Sequence, residues 1–394
     1  MDVYERMMDT VAQRQLFDAD SAVVLMVSGG SVSTALAWLA ARLRDAGGVA
    51  VVTMLHMNHK LRGAAADADA AFVAQLAADL GIPLFSCEMD IAAEARRCGG
   101  NIEAVARRER YLAAEEALGS MCQHEGVPLA NGRIATAHTA DDRIENFYMR
   151  AIVGTGPGGF RGMLYRNGAV VRPLLDCTRE DLRGYLASEA GGTGASVGGS
   201  SSAAEGERAS EGSGASEGGQ PELWREDATN AHTDRFRAYV RHEMVPRARE
   251  WSAASDAALV RTMNLIADED DMLDAMARDA IARDVEALGE VPEGAASPLE
   301  QTCCHDGYLL APQFGALPLP LARRAIHVLL QSMLGQGERI DAAAVDAVAG
   351  CFCDGVPISG RVENIQGDVA VSANKRGVRI EPMAAFRARR KGIR

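Results

Sequence analysis

Residues 22–34 read Ala22-Val23-Val24-Leu25-Met26-Val27-Ser28-Gly29-Gly30-Ser31-Val32-Ser33-Thr34, an apolar run followed at once by a turn rich in glycine and serine. The apolar run favours a buried strand, and Leu36, Leu39 and Leu43 then recur at helical spacing. Paired glycines let a backbone turn tightly and approach a ligand, and the free N–H groups at a helix start attract an anion. We therefore predict an anion-binding loop between a strand and a helix. An ordinary Ser/Gly turn with an N-cap is the alternative.

The pattern around this loop predicts an α/β fold. Further apolar runs occupy residues 49–55, 82–85 and 134–137, and helical patterns lie between them. Short buried strands that alternate with helices indicate a doubly wound parallel sheet. Ligands of such sheets bind beyond the carboxyl ends of the strands, which is where the loop at 28–33 is expected.

Composition divides the chain into four segments. Residues 1–187 are predicted to form the sheet domain. Residues 188–221 are almost entirely Gly, Ser, Ala and Glu, and because such a segment cannot bury apolar area, we predict a disordered insertion. Residues 222–290 have a mainly helical pattern and are predicted to complete the first domain. Residues 300–394 mix a helix with short strand-like runs and are predicted to form a small C-terminal domain with a basic tail.

The bulk composition predicts a cytoplasmic protein without a membrane span. Hydrophobic residues make up 47% of 394 positions, yet no apolar stretch reaches the length of about 18 residues that a spanning helix needs. The acidic first 20 residues do not fit a signal peptide, and the eight cysteines are expected to be reduced thiols. The net charge of −13 argues against a nucleic-acid binder. Arginines nevertheless cluster locally, and these clusters indicate either phosphate-binding faces or ordinary solvated helix faces.

Three further segments place polar residues at predicted strand ends and on predicted helices. His56-Met57-Asn58-His59-Lys60-Leu61-Arg62-Gly63 ends the second apolar run. The helical stretch 101–111 carries Arg107 and Arg110 on one face, where arginine forks suit phosphate contacts. The stretch 135–146 carries clustered carboxylates at a strand end, which suit either a magnesium ion or an N-cap.

In order and spacing these segments resemble the motifs of the tRNA(Ile)-lysidine synthetase family of PP-loop enzymes. That family carries Ser-Gly-Gly-x-Asp-Ser after the first strand, His-x-Asn-His-x-Leu-Arg-Gly after the second, and Ala-x-x-His-His-x-Asp-Asp-Gln-x-Glu-Thr at a later strand end. Matches continue through Arg172-Pro173-Leu174-Leu175, Trp224–Asn230 and Arg237–Pro246, so the resemblance covers roughly residues 20–250. The low-complexity segment falls between two of these blocks and looks like an insertion in a surface loop.

The resemblance implies a PP-loop ATPase fold and an ATP-dependent ligation of L-lysine to C2 of the wobble cytidine in tRNA(Ile) with a CAU anticodon. ATP would adenylate the C2 oxygen and release pyrophosphate, and the lysine ε-amine would then attack C2 and expel AMP. ATP and Mg²⁺ are the implied cofactors. The oligomeric state stays open, with a homodimer as one alternative.

The same resemblance implies three groups of site residues. ATP binding is implied for Ser28, Gly29, Gly30, Ser31, Val32 and Ser33. Catalysis is implied for His138, Asp141, Asp142 and Glu145, with Asp141 and Asp142 also as Mg²⁺ ligands. Contacts to tRNA or nucleotide phosphate are implied for Arg107, Arg110, Arg237 and Arg241.

Several family positions hold other residues in this chain. These are Val32 for Asp, Thr139 for His, Arg143 for Gln, Val153 for Arg and Ala238 for Asn. Valine cannot accept a hydrogen bond or hold Mg²⁺, whereas a backbone cradle for phosphate does not need the acid. Two alternatives therefore stay open, a catalytically impaired PP-loop paralogue that binds nucleotide or tRNA, and another PP-loop tRNA-modifying enzyme. An iron–sulfur thiolase would need Cys-x-x-Cys motifs, which Cys303-Cys304 and Cys351-Phe352-Cys353 do not form.

Overall fold

The computed structural model describes residues 2–192, 223–225, 236–288, 306–335 and 339–392. The chain divides into two compact units, residues 1–264 and residues 265–394. The first domain was predicted to end at residue 290 and the C-terminal domain to begin at residue 300. Both positions lie further along the chain than the division after residue 264. The two units are described separately below.

A mostly parallel sheet organises the first unit. Its strands are β1 (Ala22–Met26), β2 (Val51–Asn58), β3 (Leu84–Glu88), β4 (Gly132–Thr136), β5 (Arg166–Asn167) and β6 (Val170–Val171). They lie in the order β3-β2-β1-β4-β6-β5, and every pair is parallel except the edge pair β5–β6. The chain builds outward from β1 to β3 and then crosses to β4 on the other side of β1. A topological switch point therefore lies between β1 and β4, and the predicted parallel α/β sheet is confirmed.

Helices cover both faces of this sheet. They are α1 (Val3–Arg14), α2 (Ser31–Asp45), α3 (Ala64–Asp79), α4 (Ile91–Cys98), α5 (Ile102–Glu125), α6 (Ala140–Val153) and α7 (Arg179–Gly192). Successive residues of a strand point to opposite faces. Leu25 accordingly packs into a core with Leu36 and Leu39 of α2, whereas Val24 packs into a second core with Leu118 of α5. Burial on both faces explains why β1 is a continuous apolar run.

The observed bounds of two strands differ by two residues from the predicted ones. The run at 82–85 precedes β3 at Leu84–Glu88, and the run at 134–137 overlaps β4 at Gly132–Thr136. β3 is an edge strand whose residues Phe85, Ser86 and Glu88 are exposed. Its polar positions interrupt the apolar pattern, which is why the pattern misplaced its bounds.

The predicted insertion begins later than residue 188. Helix α7 continues to Gly192, because Ala187, Ser188, Glu189 and Ala190 prolong a sequence compatible with a helix. The remainder of the predicted insertion, 193–221, lies outside the described residues.

A helical segment completes the first unit. It comprises α8 (Phe236–Tyr239), a π-helical turn (Val240–Met244), α9 (Val245–Trp251) and the first part of α10 (Ser255–Asp284). Val240, Val245 and Met263 pack with Ile144 of α6 in a small core. This packing brings the arginines of the segment to the carboxylates of α6.

The second unit is built on an antiparallel sheet. Its elements are the rest of α10, β7 (Val285–Ala287), β8 (Tyr308–Leu310), α11 (Leu319–Leu334), α12 (Ala342–Ala349), β9 (Phe352–Cys353), β10 (Val356–Pro357), β11 (Val362–Ile365), β12 (Val369–Asn374), β13 (Gly377–Pro382) and α13 (Met383–Lys391). Five strands lie in the order β11-β12-β13-β8-β7. Ala277 and Ile281 of α10 belong to this unit's core, so the unit begins inside α10. The predicted mixture of helix and strands is confirmed. Among the described residues, no helix is long and apolar enough to cross a membrane.

Candidate active site

The loop after β1 forms an open backbone cradle at the start of α2. Gly29 has a φ of +89°, a conformation that a residue with a side chain rarely adopts. Gly30 is the N-cap of α2 and provides no side-chain cap, so the first N–H groups of the helix face the loop's surroundings. The Ser33 hydroxyl donates to the Gly30 carbonyl at 3.0 Å and also accepts from the Ser28 N–H at 3.2 Å. These bonds hold the loop in a shape suited to an anion.

A cavity of about 640 Å³ lies beside this loop, at the carboxyl ends of the central strands. Its walls come from the ends of β1, β2 and β4 and from α5. The polar residues in these walls are Ser28, Ser33, His56, Asn58, His59, Arg62, Asp69, Arg107, Arg110, Tyr111, Thr136 and His138. The structure thus brings the predicted residues Arg107, Arg110 and His138 to one cavity with the loop.

A second cavity of about 670 Å³ adjoins the first at the loop. The two cavities share Ser28, Ser33, Arg62, Asp69 and Ala137. The second is lined further by Gly30, Ser31, Val32, Asp141, Glu145, Arg179, Glu180, Arg183, Trp224, Arg225, Arg241, His242, Val245 and Arg249. Together the walls hold eight arginines and four carboxylates, so this part of an acidic protein is locally basic.

The carboxylates of α6 are fully engaged by arginines. Glu145 is 1% exposed and accepts from Arg179, Arg237 and Arg241 at 2.7–3.1 Å. Burial alone would raise the pKa of Glu145, but these three guanidinium groups hold it at about 2. Glu145 is therefore ionised at pH 7 and binds three arginines, of which Arg179 and Arg241 line the second cavity.

Asp142 and Asp141 extend this cluster. Asp142 Oδ1 accepts from Arg179 at 2.6 Å and from Arg237 at 2.9 Å. Asp141 accepts from the Arg179 backbone N–H at 2.7 Å and from the Arg249 side chain at 2.8 Å. No group of three His, Cys, Asp or Glu side chains that could hold a metal occurs in the described part of the chain. The Mg²⁺ role assigned to Asp141 and Asp142 therefore stays a prediction.

A comparison with protein families identifies a known domain within the first unit. The model described as the PP-loop domain matches residues 3–191, which span the whole parallel sheet and the loop at 28–33. Residues 3–191, slightly less than half of the chain, are thus similar to the PP-loop domain.

The chain is also similar to curated tRNA(Ile)-lysidine synthases. It is 34% identical to that of Porphyromonas gingivalis over 65% of this chain and 47% of the relative. It is 32% identical to that of Thermus thermophilus over 79% of this chain and 49% of the relative. It is 30% identical to that of Symbiobacterium thermophilum over 85% of this chain and 60% of the relative. The chain thus spans about half to three fifths of the length of these relatives.

Two departures from the family motif have structural roles inside the PP-loop domain. Thr139 is completely buried and is the N-cap of α6, where its N–H and its hydroxyl both donate to Asp142 Oδ2, at 2.9 and 3.1 Å. This is a capping box. The predicted N-cap at Asp141 or Asp142 was therefore wrong by position, because Thr139 is the N-cap and Asp142 is the N3 partner of its capping box. The contacts of Asp142 with Arg179 and Arg237 were not predicted.

Arg143 is the other departure. It is completely buried and donates to Tyr165 Oη and Asn264 Oδ1, both at 2.7 Å, and to Asp176 Oδ1 at 3.3 Å. Tyr165 in turn donates to Asp176 at 2.6 Å. Arg143 thus ties α6 to the segment after β6 and to α10, away from the cavity walls.

Two histidines of the first cavity, His59 and His138, are neutral at pH 7. Burial, with the charge of Arg110, lowers the pKa of His59 to about 4. Burial also lowers the pKa of His138 to about 4, against the opposing charge of Asp142. The His56 Nδ1 lies 2.9 Å from the Val27 carbonyl, so it carries the proton and donates. The His59 and His138 rings therefore add polar, uncharged groups to a wall that also carries arginines.

The motif analysis assigned no role to three residues that shape this site, Asp69, Arg179 and Arg225. Asp69 is 9% exposed and lies between Arg62 and Arg225. It shares a helix face with the buried residues Val73 and Leu76, and an acid on an apolar face was a signal that the sequence offered. Arg179 and Arg225 offered no comparable signal, because their partners are distant in sequence. Positions Asp227, Thr229 and Asn230 of the motif lie outside the described residues.

Proposed function

We propose that the chain is a tRNA(Ile)-lysidine synthase. It would use ATP to join L-lysine to C2 of the wobble cytidine in tRNA(Ile) with a CAU anticodon. The observation that carries this proposal is the pair of cavities that meet at the phosphate loop, because a ligation through an adenylated intermediate needs the nucleotide and the acceptor on opposite sides of the reacting phosphate. The similarity to curated synthases supports the same reaction.

ATP would occupy the first cavity, with its phosphates on Ser28, Gly29, Gly30, Ser31, Val32 and Ser33. The residues fit a phosphate chain, since the left-handed Gly29 and the uncapped start of α2 direct N–H groups at an anion. Bound Mg²⁺ would neutralise phosphate charge, and Asp141 and Asp142 would hold it. Arg107 and Arg110 line the same cavity and would bind nucleotide or tRNA phosphate.

The second cavity would receive the cytidine and lysine. In the first step the C2 oxygen of cytidine attacks the α-phosphorus of ATP, and pyrophosphate leaves. In the second step the lysine ε-amine attacks C2, the C2–O bond breaks, AMP leaves, and the amine loses a proton. Asp141, Asp142 and Glu145 would serve lysine by exchanging arginine contacts for its ammonium group, and neutral His138 would serve as a hydrogen-bonding group near the reacting centre.

Arginines on the carboxylate cluster would bind the tRNA. Arg237 and Arg241 are anchored by Glu145, while their side chains stay 47% and 27% exposed. An anchored and exposed guanidinium can contact a backbone phosphate without losing its position. With a tRNA as substrate, the reaction would take place in the cytoplasm.

The test is the release of AMP and pyrophosphate by the pure protein. The complete mixture holds ATP, Mg²⁺, L-lysine and a transcript of tRNA(Ile) with the CAU anticodon, and each component is omitted in turn. Release that needs both lysine and this tRNA, with lysine incorporated at the wobble position, is the expected result. ATP binding without any turnover would contradict the synthase and favour a non-catalytic nucleotide-binding protein.

A further inference from the structure

Residues 223–225 form a short strap against the phosphate loop. The Arg225 N–H donates to the Gly29 carbonyl at 2.9 Å. The Arg225 Cγ lies 3.6 Å from the position that a Cβ on Gly29 would take. Trp224 packs on the first core, and the Arg183 guanidinium lies 5.6 Å from the centre of its ring. The strap is therefore fixed by backbone, apolar and cation–π contacts.

The guanidinium of Arg225 is held beside the loop by a buried carboxylate. Arg225 Nε donates to Asp69 Oδ1 at 3.2 Å, and Arg62 donates to Asp69 Oδ2 at 2.7 Å. Asp69 is 9% exposed. All three side chains line the second cavity with Ser28 and Ser33. Asp69 therefore holds two guanidinium groups beside the loop.

We infer that Arg225 binds the phosphate chain of ATP directly and that Asp69 is the residue that positions it. The inference rests on the proposed use of ATP. Arginine presents a planar fork of N–H donors that suits a phosphate group. Arg225 stands at an unspecified position of the Trp-x-x-Asp-x-Thr-Asn motif, so the motif gives it no role.

The residue at position 32 makes this contact important. Val32 lines the same cavity and offers no carboxylate to hold a metal ion against the phosphates. A guanidinium can stabilise phosphate charge without a metal ligand nearby. Arg225, which follows the low-complexity segment in the sequence, therefore supplies a positive charge at the loop. The side chains of the loop itself carry none.

The test compares affinities of the full-length protein for adenosine, AMP, ADP and a non-hydrolysable ATP analogue by titration calorimetry. Arg225→Ala is expected to weaken binding of the ATP analogue on the order of tenfold to a hundredfold, and to leave adenosine binding unchanged. Arg225→Gln keeps the methylene stem on Gly29 and is expected to give the same loss, which covers the case in which the alanine variant folds poorly. Arg97→Ala is the matched control, because Arg97 is exposed and pairs with Glu94 on its own helix.

The Asp69→Asn variant tests the positioning role through the direction in which the affinity for the ATP analogue changes. Loss of a negative charge alone would strengthen phosphate binding, whereas loss of a positioning partner weakens it, and we expect weaker binding. Stronger binding by Asp69→Asn would overturn the positioning role. Equal loss for adenosine and the ATP analogue, or no loss in Arg225→Gln, would overturn the phosphate contact while leaving the synthase proposal intact. Failure of the unmodified protein to bind any adenine nucleotide would overturn both.

Discussion

Val32 occupies the second position of α2, where its side chain packs on the first core and also lines the second cavity. The same position in the motif holds an acid. An acid in the first turn of a helix is stabilising by about 0.3–1 kcal/mol, so an aspartate would be tolerated by the helix. Its effect would fall on the ligand, since a carboxylate beside phosphates repels them unless a cation lies between.

We expect Val32→Asp to make ATP binding dependent on Mg²⁺. In excess EDTA the affinity should fall roughly tenfold, the factor that about 1.4 kcal/mol of repulsion gives, whereas in Mg²⁺ it should stay at or above that of the unmodified protein. Turnover should rise if the motif acid helps to hold the metal. Calorimetry in both buffers measures the first effect and pyrophosphate release the second. Val32→Asn, which has the same shape without the charge, is the control, and equal losses in both variants would contradict the electrostatic reason.

Glu145 is the most heavily engaged carboxylate of the cluster. Three arginines hold its pKa at about 2, below the usual 4.5. A depressed pKa stabilises the folded protein above the unfolded value, so the contribution is complete above about pH 4.5 and is lost as the pH falls toward 2.

Glu145→Gln should therefore lower the free energy of unfolding at pH 7 by about 2 kcal/mol. The loss is smaller than for a fully buried ion pair, because the arginine partners of Glu145 are partly exposed. Urea unfolding at pH 7 and pH 3 measures the change. The difference between variant and unmodified protein should shrink at pH 3. Glu180→Gln, on the exposed rim of the same cavity, should have no such effect. A difference for Glu145→Gln that stayed constant over this pH range would argue against the ion pairs as its cause.

At the scale of elements, α6 carries much of the site. Its N-terminus is set by the capping box of Thr139 and Asp142, and its first turns present Asp141, Asp142 and Glu145. Because Asp142 is both a cap and a partner of Arg179 and Arg237, the position of the helix start and the position of the arginines are linked.

Thr139→Ala should remove one half of the capping box and lower stability by about 1 kcal/mol. Thermal unfolding should show a lower midpoint, and Thr139→Ser, which keeps the hydroxyl, should restore it. An unchanged midpoint in the alanine variant would mean that the backbone contact to Asp142 alone fixes the start of α6.

The sequence was sufficient for the elements whose signals are local. The apolar run before the glycines predicted β1, and the leucines at helical spacing predicted α2. Arg107 and Arg110 of α5 line the first cavity, and their contact with phosphate stays a prediction. Edge strand β3 was misplaced because its exposed residues break the apolar pattern. The arginine partners of Glu145 could not be predicted from spacing, because Arg179 and Arg237 lie 34 and 92 residues away along the chain. Such pairs exist only once the helices have packed.

At the scale of the whole molecule, charge is distributed unevenly. The chain has a net charge of −13, yet the two cavities carry eight arginines against four carboxylates. Bulk charge therefore does not describe the cavities, because the excess of acid lies elsewhere. A local basic site on an acidic protein would limit unspecific attachment to nucleic acid while still attracting a phosphate ligand.

Two later segments of the first unit pack against its earlier part. Arg225 bonds to Gly29, and α8 and α9 pack on α6. These contacts hold both segments on the PP-loop domain.

A protease site inserted between residues 193 and 221 should consequently yield two polypeptides that stay associated. Size-exclusion chromatography after cleavage should give one peak with both pieces, and ATP affinity should persist, because each ion pair and apolar contact between the pieces survives. Separation of the pieces at micromolar concentration would mean that these contacts are too weak alone. If they stay together, two genes that encode the two pieces would suffice to assemble the site, and the low-complexity segment would mark a natural place to split this protein into a reconstitutable pair.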